Sequence, residues 1–526
     1  MKRIKKENLT VLNKKFLGFF EDLKIKFPQA EIFLVGGAVR DLFLGRQTLD
    51  YDFVIRKVSL KNLEKFFTQQ GKVNLVGQLF GVFKFVPPQG DKKNPFDIAL
   101  PRRDFSWGTG GYRDVEIQTN PRLSIKSDLS RRDFTINALA LKWQGFNQKG
   151  IAQWELIDPF NGQKDLAQKI IRTVGAPEKR FKEDYSRILR ALRFSCQLDF
   201  KIEENTWKTI KEKVKFLNKI ERTVDSVQKG KIVESRVIEK RVVPYETVAK
   251  EVLKSFSFNP VKAFDLYDQS GAFQELIPEV LTMKNCPQPE NYHTEGDVWQ
   301  HTRLALKNIN SNEFKKYFGP EPASLEVIMA VFLHDLGKPY TIKTPEKDKT
   351  DRIRFDDHDN VGAAKAREIS QRLKLSSPDK YGLNVEEVVW LVKQHMILIR
   401  GEIKKMKAKT IAKYFFNPRF SGKKLLQVSF IDIKATITKK GPLSLDKFKE
   451  MVERIEELKQ MSKNKKNLPE TLISGDDLIK RFNLKPGPVI GTVLRKIREE
   501  QLDKKIKTKE QALVRAGEII KKENYF

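Results

Sequence analysis

The sequence predicts an α+β fold in which a mixed α/β head precedes a predominantly α-helical body. Residues 31 to 142 alternate strand-like runs such as EIFLV and YDFVI with helical runs. From Asp165 onward the apolar residues repeat with helical periodicity, and almost no strand pattern is left. The 526 residues are enough for about three or four domains of ordinary size.

The charge of the chain predicts a polyanionic partner. Lys and Arg number 100 against 68 Asp and Glu, and this net charge of +32 is more than solubility requires. Nucleic acid is therefore the partner that we expect first. Two stretches, residues 208–241 and 401–424, are candidate RNA-facing surfaces. The first is equally typical of a solvated helix face, whereas the second places aromatic side chains among its lysines and is the one that we favour: Tyr414, Phe415, Phe416 and Phe420.

The cysteines and the apolar runs predict a cytoplasmic protein. Cys196 and Cys286 show no CxxC spacing, which disfavours both a disulfide framework and a Cys-rich zinc site. Charges interrupt the N-terminal segment before a signal-peptide core can form. The longest apolar runs, such as residues 327–333, fall far short of the ~20 residues that a membrane span needs. We therefore expect no membrane span.

A glycine pair at the end of the first strand predicts a phosphate-binding turn. Gly36 and Gly37 follow EIFLV and precede a helix that begins near Ala38. Glycines let the backbone approach an anion closely, and the first free N–H groups of a helix point at it. Arg40, on the first turn, adds a charge that suits a triphosphate. Taken alone, such a pair is more often an ordinary turn, so the prediction depends on the motifs that follow.

Two aspartates on the next strand predict a metal site. In LDYDFVI, Asp50 and Asp52 are two positions apart, which on a strand places both carboxylates on one face. These like charges repel unless cations lie between them, and two Mg²⁺ ions about 3.5 to 4 Å apart serve an in-line phosphoryl displacement. Asp97, in the later strand FDIAL, is a candidate third carboxylate. A pair of aspartates without a role is the alternative, which the nearby glycine pair makes less favoured.

A third motif carries arginines and an amide. In SRRDFTINA, Arg131, Arg132 and Asn137 lie at the predicted start of an apolar helix, where arginines suit phosphate oxygens and the amide suits a ribose hydroxyl. With this motif the sequence resembles the class II tRNA nucleotidyltransferase and bacterial poly(A) polymerase family. The resemblance covers about residues 31 to 280 and is carried, in order, by VGGAVRD, DYD, RRDFTINA, DPFNGQKDL and FKEDYSRILRALRF.

The resemblance implies a role for each matching residue. Asp184 and Arg187 would read the Watson–Crick edge of the incoming base, with Arg190 and Arg193 behind them. The family usually has proline after the Glu-Asp pair, where this chain has Tyr185, and this departure leaves the entry of that helix open. The implied nucleotide-binding residues are Gly36, Gly37, Arg40, Arg132, Asp133, Asn137, Asp184, Arg187, Arg190 and Arg193, and Asp50 and Asp52 would hold Mg²⁺.

All five histidines lie between residues 293 and 395, a clustering that chance would not produce. His301, His334, His358 and His395 each lie on or beside an apolar helix, and the set includes the adjacent pair His334-Asp335. Imidazole and carboxylate together suit a divalent metal. His293 is expected to be a satisfied core residue instead.

The order of these residues resembles the HD metal-dependent phosphohydrolase domain, across about residues 290 to 440. By that resemblance His301, His334, Asp335 and Asp432 would bind one metal, and His358 with His395 would complete a second. The implied activity is hydrolysis of a phosphate ester, and a 2′,3′-cyclic phosphate at an RNA end is one candidate.

The favoured function is template-independent addition of C and A nucleotides to the 3′ end of tRNA, from CTP and ATP. Poly(A) synthesis is the alternative within the family, because both activities share these motifs. An HD phosphohydrolase with an RNA-binding head, and a catalytically silent scaffold, are further alternatives that the intact Asp50 and Asp52 disfavour. The expected segments are an N-terminal helical segment (1–30), the nucleotidyltransferase head (31–145), a nucleobase- and RNA-binding helical domain (146–285), an HD domain (286–440) and a C-terminal helical tail (441–526).

Overall fold

The computed structural model describes residues 13–48, 50–75, 82–87, 95–111, 114–229, 232–376, 381–400, 406–463, 471–484, 487–502 and 505–522. The chain forms two compact units. The first comprises Met1–Lys393 and Lys434–Pro442, and the second comprises Gln394–Ile433 and Leu443–Phe526. Among the described residues, no helix combines the length and the apolar character that crossing a bilayer requires.

A seven-stranded sheet forms the centre of the head, with the strand order β3-β4-β5-β2-β1-β8-β9. Strand β1 pairs antiparallel with both β2 and β8, whereas β2 and β5 are parallel. The register places Asp52 between Val35 on one side and Asp97 on the other. The strands of the sheet are β1 (Glu31–Val35), β2 (Asp52–Arg56), β3 (Lys72–Leu75), β4 (Val82–Val86), β5 (Phe96–Ala99), β8 (Ala140–Phe146) and β9 (Ala152–Ile157). A separate two-stranded sheet pairs β6 (Arg102–Ser106) with β7 (Val115–Thr119).

Alternation along the strands explains how the head buries its core. In β4, Phe83 and Phe85 are fully buried, whereas Lys84 between them is not. The predicted strands EIFLV and VFKFV are both confirmed. The helices of this part are α1 (Lys14–Leu17), α2 (Phe19–Lys26), α3 (Gly37–Leu44), α4 (Leu60–Gln70) and α5 (Ile125–Ser130).

Two local predictions are wrong. RRDFTINA does not begin an apolar helix: a single 3₁₀ turn, Thr135–Asn137, leads into β8, because the β-rich run after it pairs with β1. The prediction that almost no strand follows Asp165 is wrong at a hairpin of β12 (Ile220–Lys229) and β13 (Ile232–Arg241), which pair over ten positions. Both strands are rich in β-branched residues, which favour a strand, but their apolar residues do not alternate regularly with polar ones. Residues 208–241 are therefore only partly helical.

The rest of the first unit is mainly helical, as predicted. Its helices are α6 (Gly162–Gln168), α7 (Pro177–Glu183), α8 (Ser186–Leu198), α9 (Glu204–Lys213), α10 (Tyr245–Phe258), α11 (Pro260–Gln269), α12 (Ala272–Leu276), α13 (Val298–Asn308), α14 (Asn312–Phe318), α15 (Leu325–Leu333), α16 (Lys338–Thr341), α17 (Pro345–Asp348) and α18 (His358–Arg372). Three short strand pairs complete the described part of the first unit: β10 (Ile170–Ile171) with β11 (Lys201–Ile202), β14 (Ile342–Lys343) with β15 (Arg354–Phe355), and β16 (Ile437–Thr438) with β17 (Gly441–Pro442). Cys196 and Cys286 are buried free thiols, which agrees with the predicted lack of a disulfide framework.

The remaining helices are α19 (Val385–Gln394), α20 (Ile397–Arg400), α21 (Ala408–Phe415), α22 (Gly422–Ala435), α23 (Asp446–Lys463), α24 (Gly475–Phe482), α25 (Pro488–Leu502) and α26 (Lys509–Lys522). The last three bury one apolar cluster, which includes Leu478, Val493 and Ile520. In the predicted RNA-facing stretch 401–424, residues 401–405 lie outside the described residues. Phe415 is buried there and Phe416 is exposed, so only part of the aromatic set is available to a ligand.

Candidate active site

A cleft of about 930 Å³ brings most of the predicted head residues together. The turn after β1, the first residue of β2, the RRDFTIN segment and helices α7 and α8 all line it. The predicted residues that line it are Gly36, Gly37, Arg40, Asp52, Arg132, Asp133, Asn137, Asp184, Arg187 and Arg190. In the described part of the chain, Asp50, Asp97 and Arg193 do not belong to this lining.

The glycine turn has the geometry that the sequence predicts. Gly36 precedes α3 with a φ of +78°, a conformation that favours glycine. A Cβ on Gly36 would lie 2.9 Å from Arg132 Nη1 and 3.1 Å from an Asp52 carboxylate oxygen. The backbone of the turn, the carboxylate and the guanidinium therefore converge on one point. Arg40 is buried and donates to the side-chain oxygen of Asn137 at 2.9 Å.

The three predicted carboxylates occupy different environments. Asp52 opens β2, whereas Asp50 is exposed and lies before the strand, so the predicted strand begins later than LDYDFVI suggests. Burial and the nearby carboxylates of Asp50 and Asp97 raise the pKa of Asp52 to about 6. Asp97 accepts a hydrogen bond from Lys84 Nζ at 2.8 Å, which compensates its charge. For Asp52, the charges of Arg132 and Lys84 lower the pKa but do not offset burial and the two neighbouring carboxylates.

A hydrogen-bond network fixes the RRDFTIN segment. Asp133 Oδ1 accepts from the Phe134 N–H at 2.8 Å and from Asn137 Nδ2 at 3.1 Å, and Asp133 Oδ2 accepts from Arg190 Nε at 2.8 Å. Burial opposes ionisation of Asp133, but the charge of Arg190 holds the pKa of Asp133 well below its ordinary value. Asp133 therefore positions Asn137 and Arg190 instead of presenting both oxygens to a ligand.

Asp184 and Arg187 lie at the junction of α7 and α8. Asp184 Oδ1 accepts from the Ser186 N–H at 2.8 Å and so satisfies a free donor at the start of α8. The other oxygen, Oδ2, lies 3.9 Å from Arg187 Nε. Burial raises the pKa of Asp184. Arg187 Nη1 also donates to Glu183 at 2.9 Å, a partner that the sequence analysis did not identify.

Tyr185 changes this junction relative to a proline. Its N–H donates to the Gly110 carbonyl at 2.9 Å, and its ring stacks on Phe216 with centroids 4.9 Å apart. The first contact is impossible for proline, which has no N–H.

Arg193 has a structural environment that differs from the implied one. Its Nε donates to the buried Glu251 at 2.6 Å, on α10, and it does not line the cleft. Further charged residues of the lining were not predicted from the sequence. Glu183 lies within the FKEDYSRILRALRF motif but had no assigned role, and no short motif marks the others: Arg102, Arg103, Asp104, Lys179 and Arg180.

A second cluster of polar residues lies in the helical body. The Nε2 atoms of His301 and His334 are 3.3 Å apart, and both lie near Asp335 Oδ2, at 3.7 and 3.3 Å. His358 Nε2 lies 3.6 Å from Asp335 Oδ1. Because His334 Nδ1 faces the Val331 carbonyl at 2.7 Å, its proton belongs on Nδ1 and a lone pair is left on Nε2. This donor set suits a divalent cation between the imidazoles.

Glu295 was missed in the sequence, and it lies behind this cluster. One carboxylate oxygen faces Nδ1 of His301 at 2.8 Å and Nδ1 of His293 at 2.6 Å. Burial opposes ionisation, but these hydrogen bonds lower the pKa of Glu295 to about 2. His293, which the sequence predicts to be a satisfied core residue, has a side chain that is 16% exposed and pairs with Glu295 at the edge of this cluster. His395 and Asp432 belong to the second unit, and their role as ligands stays a prediction.

Three protein families match successive parts of the chain. Residues 32–172 match the poly A polymerase head domain, residues 298–440 match the HD domain, and residues 419–516 match the putative tRNA nucleotidyltransferase domain 2. A multifunctional CCA protein from Neisseria gonorrhoeae is 32% identical over 344 residues, which are 65% of this chain and 70% of the relative. The chain belongs to the multifunctional CCA protein family of tRNA nucleotidyltransferases.

For another curated relative, the match covers a smaller share of the relative's length. The protein from Nitrosococcus oceani is 32% identical over 311 residues, and the chain spans 64% of that relative's length. Among solved structures, the Bacillus stearothermophilus CCA-adding enzyme in complex with CTP superposes with a TM-score of 0.57 at 20% identity, covering 98% of this chain and 99% of that one. The Thermotoga maritima CCA-adding enzyme complexed with tRNA superposes with a TM-score of 0.53 at 23% identity, and the match covers 97% of this chain and 94% of that one. These structures share the fold, which confirms the predicted head and helical body.

Proposed function

We propose that this protein adds C and A nucleotides to the 3′ end of tRNA without a template, using CTP and ATP. The observation that carries the proposal is one cleft that holds the glycine turn, Asp52 and the Asp184–Arg187 junction. A triphosphate on the glycine turn and a base at the junction would then occupy one cavity. Family membership and the basic charge of the chain support an RNA acceptor.

The carboxylates of the head fit Mg²⁺. The Asp50 carboxylate raises the cost of ionising Asp52, and a divalent cation would remove that repulsion. Asp50 and Asp52 would hold the metal, which supplies charge stabilisation for phosphoryl transfer. The chain itself contributes positioning: Arg40 and Arg132 bind phosphate oxygens, and the backbone of the glycine turn faces the anion. Asp97, which is paired with Lys84, is proposed in a supporting role.

Base selection is assigned to Asp184 and Arg187. A carboxylate oxygen accepts from the exocyclic amino group that cytosine and adenine share, whereas uracil presents a carbonyl there. Arg187 donates to the ring acceptors of either accepted base. Since Asp184 Oδ1 is occupied by Ser186, Oδ2 is the oxygen proposed to meet the base.

A second activity, phosphate-ester hydrolysis, is supported by the cluster around Asp335. His301, His334 and Asp335 would hold a divalent cation, which would supply Lewis-acid activation of a water molecule. Lys338, whose Nζ lies 2.7 Å from Asp335 Oδ2, adds a positive charge that suits a phosphate.

Incubation with tRNA transcripts that lack CCA, CA or A, with each nucleotide supplied separately, tests the transferase proposal. The three acceptors are thus tRNA without any of the CCA end, tRNA ending in a single C and tRNA ending in CC. Product length on a denaturing gel should show C incorporation on the first two, A incorporation on the third, and no incorporation of U. Incorporation of A alone on every RNA would replace the proposal with poly(A) synthesis. Absence of any extension with Mg²⁺ would refute it.

A further inference from the structure

One face of β6, with the residue that follows it, exposes three side chains to which the proposed nucleotide contacts assign no role. Residues alternate across a strand, so Arg103, Phe105 and Trp107 project to one side. Phe105 is 46% exposed and Trp107 is 71% exposed, a large apolar area for a position beside an active-site cleft. Opposite them on β7 lie the exposed residues Glu116 and Gln118.

The opposite face of the same strand is anchored, which fixes where the exposed rings stand. Arg131 Nη1 donates to Asp104 Oδ2 at 3.2 Å, and the Arg102 N–H donates to Asp128 at 3.2 Å. The Trp107 N–H donates to the Asp114 carbonyl at 3.2 Å and extends the pairing beyond the strand. The exposed rings therefore stand on a backbone that is held from behind.

Basic side chains lie near this segment, although the acidic Glu116 faces Phe105 across the hairpin. Arg103 and Lys179 line the cleft, and Lys182 lies beside the turn after Trp107, its Cε 3.8 Å from the position of a Cβ on Gly108. Exposed aromatic rings among lysines and arginines are the combination that binds single-stranded nucleic acid, since bases stack on the rings and the cations meet the phosphates.

We propose that Phe105 and Trp107 stack on the unpaired 3′-terminal bases of the RNA acceptor and lead its end into the cleft. This inference rests on the proposed nucleotidyltransferase function. Phe105 lines the cleft and Trp107 lies two positions further along, about 6.8 Å away along a strand. The order predicts that Phe105 meets the base nearer the reacting 3′-hydroxyl. The incoming nucleotide is a less suitable occupant, because its base is assigned to the Asp184–Arg187 junction inside the cleft.

Steady-state kinetics of Phe105→Ala, Trp107→Ala and Trp107→Phe test the proposal on tRNA lacking CCA. Each alanine variant should raise the KM for tRNA at least about fivefold while the KM for CTP changes less than twofold, because stacking of one base has that magnitude. Trp107→Phe keeps a ring and should recover most of the loss. Phe258→Ala, which removes a 43% exposed ring from α10, is the matched control and should change neither constant.

A tRNA with abasic sites at its unpaired 3′-terminal positions identifies what the rings contact. The wild-type protein should bind it more weakly, and Trp107→Ala should then cause little further loss. An equal loss on intact and abasic RNA, an unchanged KM for tRNA, or a rise confined to the KM for CTP would each overturn the stacking proposal. If the wild-type protein extends no tRNA, the transferase proposal fails, and fluorescence anisotropy of an acceptor-end oligonucleotide with the same variants still tests the surface by itself.

Discussion

Asp133 Oδ2 accepts a hydrogen bond from Arg190 Nε at 2.8 Å, which joins the RRDFTIN segment of the head to helix α8. The carboxylate is buried, and the other Asp133 oxygen holds Asn137. One side chain therefore sets the relative position of the phosphate-side and base-side parts of the cleft. Its contribution should appear in the stability of the fold as well as in activity.

Asp133→Asn should lower the free energy of unfolding at pH 7 by about 2 kcal/mol, which would appear as a lower urea midpoint. Because the pKa of Asp133 is lowered in the folded state, the unfolded chain binds more protons in acid. The contribution of Asp133 is present above its unfolded pKa near 3.9 and declines as the pH falls below that value. Circular dichroism at pH 7 and pH 3.5 should show the difference between the wild type and the variant narrowing in acid. A constant difference would contradict the ion-pair explanation.

Gly36→Ala should reduce nucleotide addition by at least about a hundredfold. The added Cβ would approach Arg132 and Asp52 to about 3 Å in a backbone conformation that alanine disfavours. Gly37→Ala is the control, since its Cβ would meet only the Arg40 guanidinium at 3.5 Å. Single-turnover rates of C addition compare the two. Equal losses would mean that the anion approaches the backbone at both glycines.

Asp52→Asn should abolish nucleotide addition and leave RNA binding within about twofold, because it removes a charge that the fold does not neutralise. Asp50→Asn should have a similar effect if both aspartates hold the metal. Asp97→Asn should cost less, since Lys84 already pairs with that carboxylate. Gel extension and filter binding measure the two properties. Near-normal nucleotide transfer by Asp52→Asn would contradict the proposal that Asp52 holds the metal.

Asp184→Ala should lower kcat/KM for CTP and ATP by several orders of magnitude. It should also reduce the ratio of these values to kcat/KM for UTP. The same change also removes the acceptor at the start of α8. Ser186→Ala separates the two effects, because it loses the hydroxyl donor to Oδ1 and leaves Oδ2 in place. That variant should retain the preference against UTP. Competition assays with mixed nucleotides, read by sequencing of the products, distinguish the outcomes.

Glu295→Gln should weaken divalent metal binding at the cluster around Asp335 by about 10- to 100-fold. The carboxylate of Glu295 accepts a hydrogen bond from the Nδ1–H of His301. This hydrogen bond keeps the lone pair of His301 Nε2 directed at the metal position. Calorimetric titration with Mn²⁺ or Ni²⁺, and the metal-induced rise in Tm, measure the change without reliance on activity. Nucleotide addition should stay within a few-fold. Unchanged metal affinity would make Glu295 a structural residue.

The sequence motifs predicted which residues the fold brings together better than they predicted the local structure around those residues. Gly36, Asp52 and Asp133 converge because strand pairing brings distant motifs together, and each motif carried a recognisable chemical signature. The hairpin of β12 and β13 was missed because charged residues interspersed with apolar ones were taken for the solvated face of a helix. Glu295 had no signature, since a carboxylate that orients a histidine has no fixed spacing from it.

Tyr185 shows a limit of the family resemblance. The resemblance marked the position as a departure, but the departure acts through a backbone N–H and through stacking on Phe216. Neither partner is close in sequence, so only the fold shows that the change replaces a rigid residue with two long-range contacts.

The position of β1 in the sheet has a consequence for synthesis of the chain on the ribosome. Strand β1 lies between β2, which follows it closely, and β8, which begins about 85 residues after β2 ends. At roughly 5–20 residues per second, one edge of β1 waits several seconds for its partner. An unpaired apolar edge attracts other chains. The nascent head therefore exposes this edge of β1 until β8 has been synthesised, whereas a chain diluted from denaturant has both neighbours available at once.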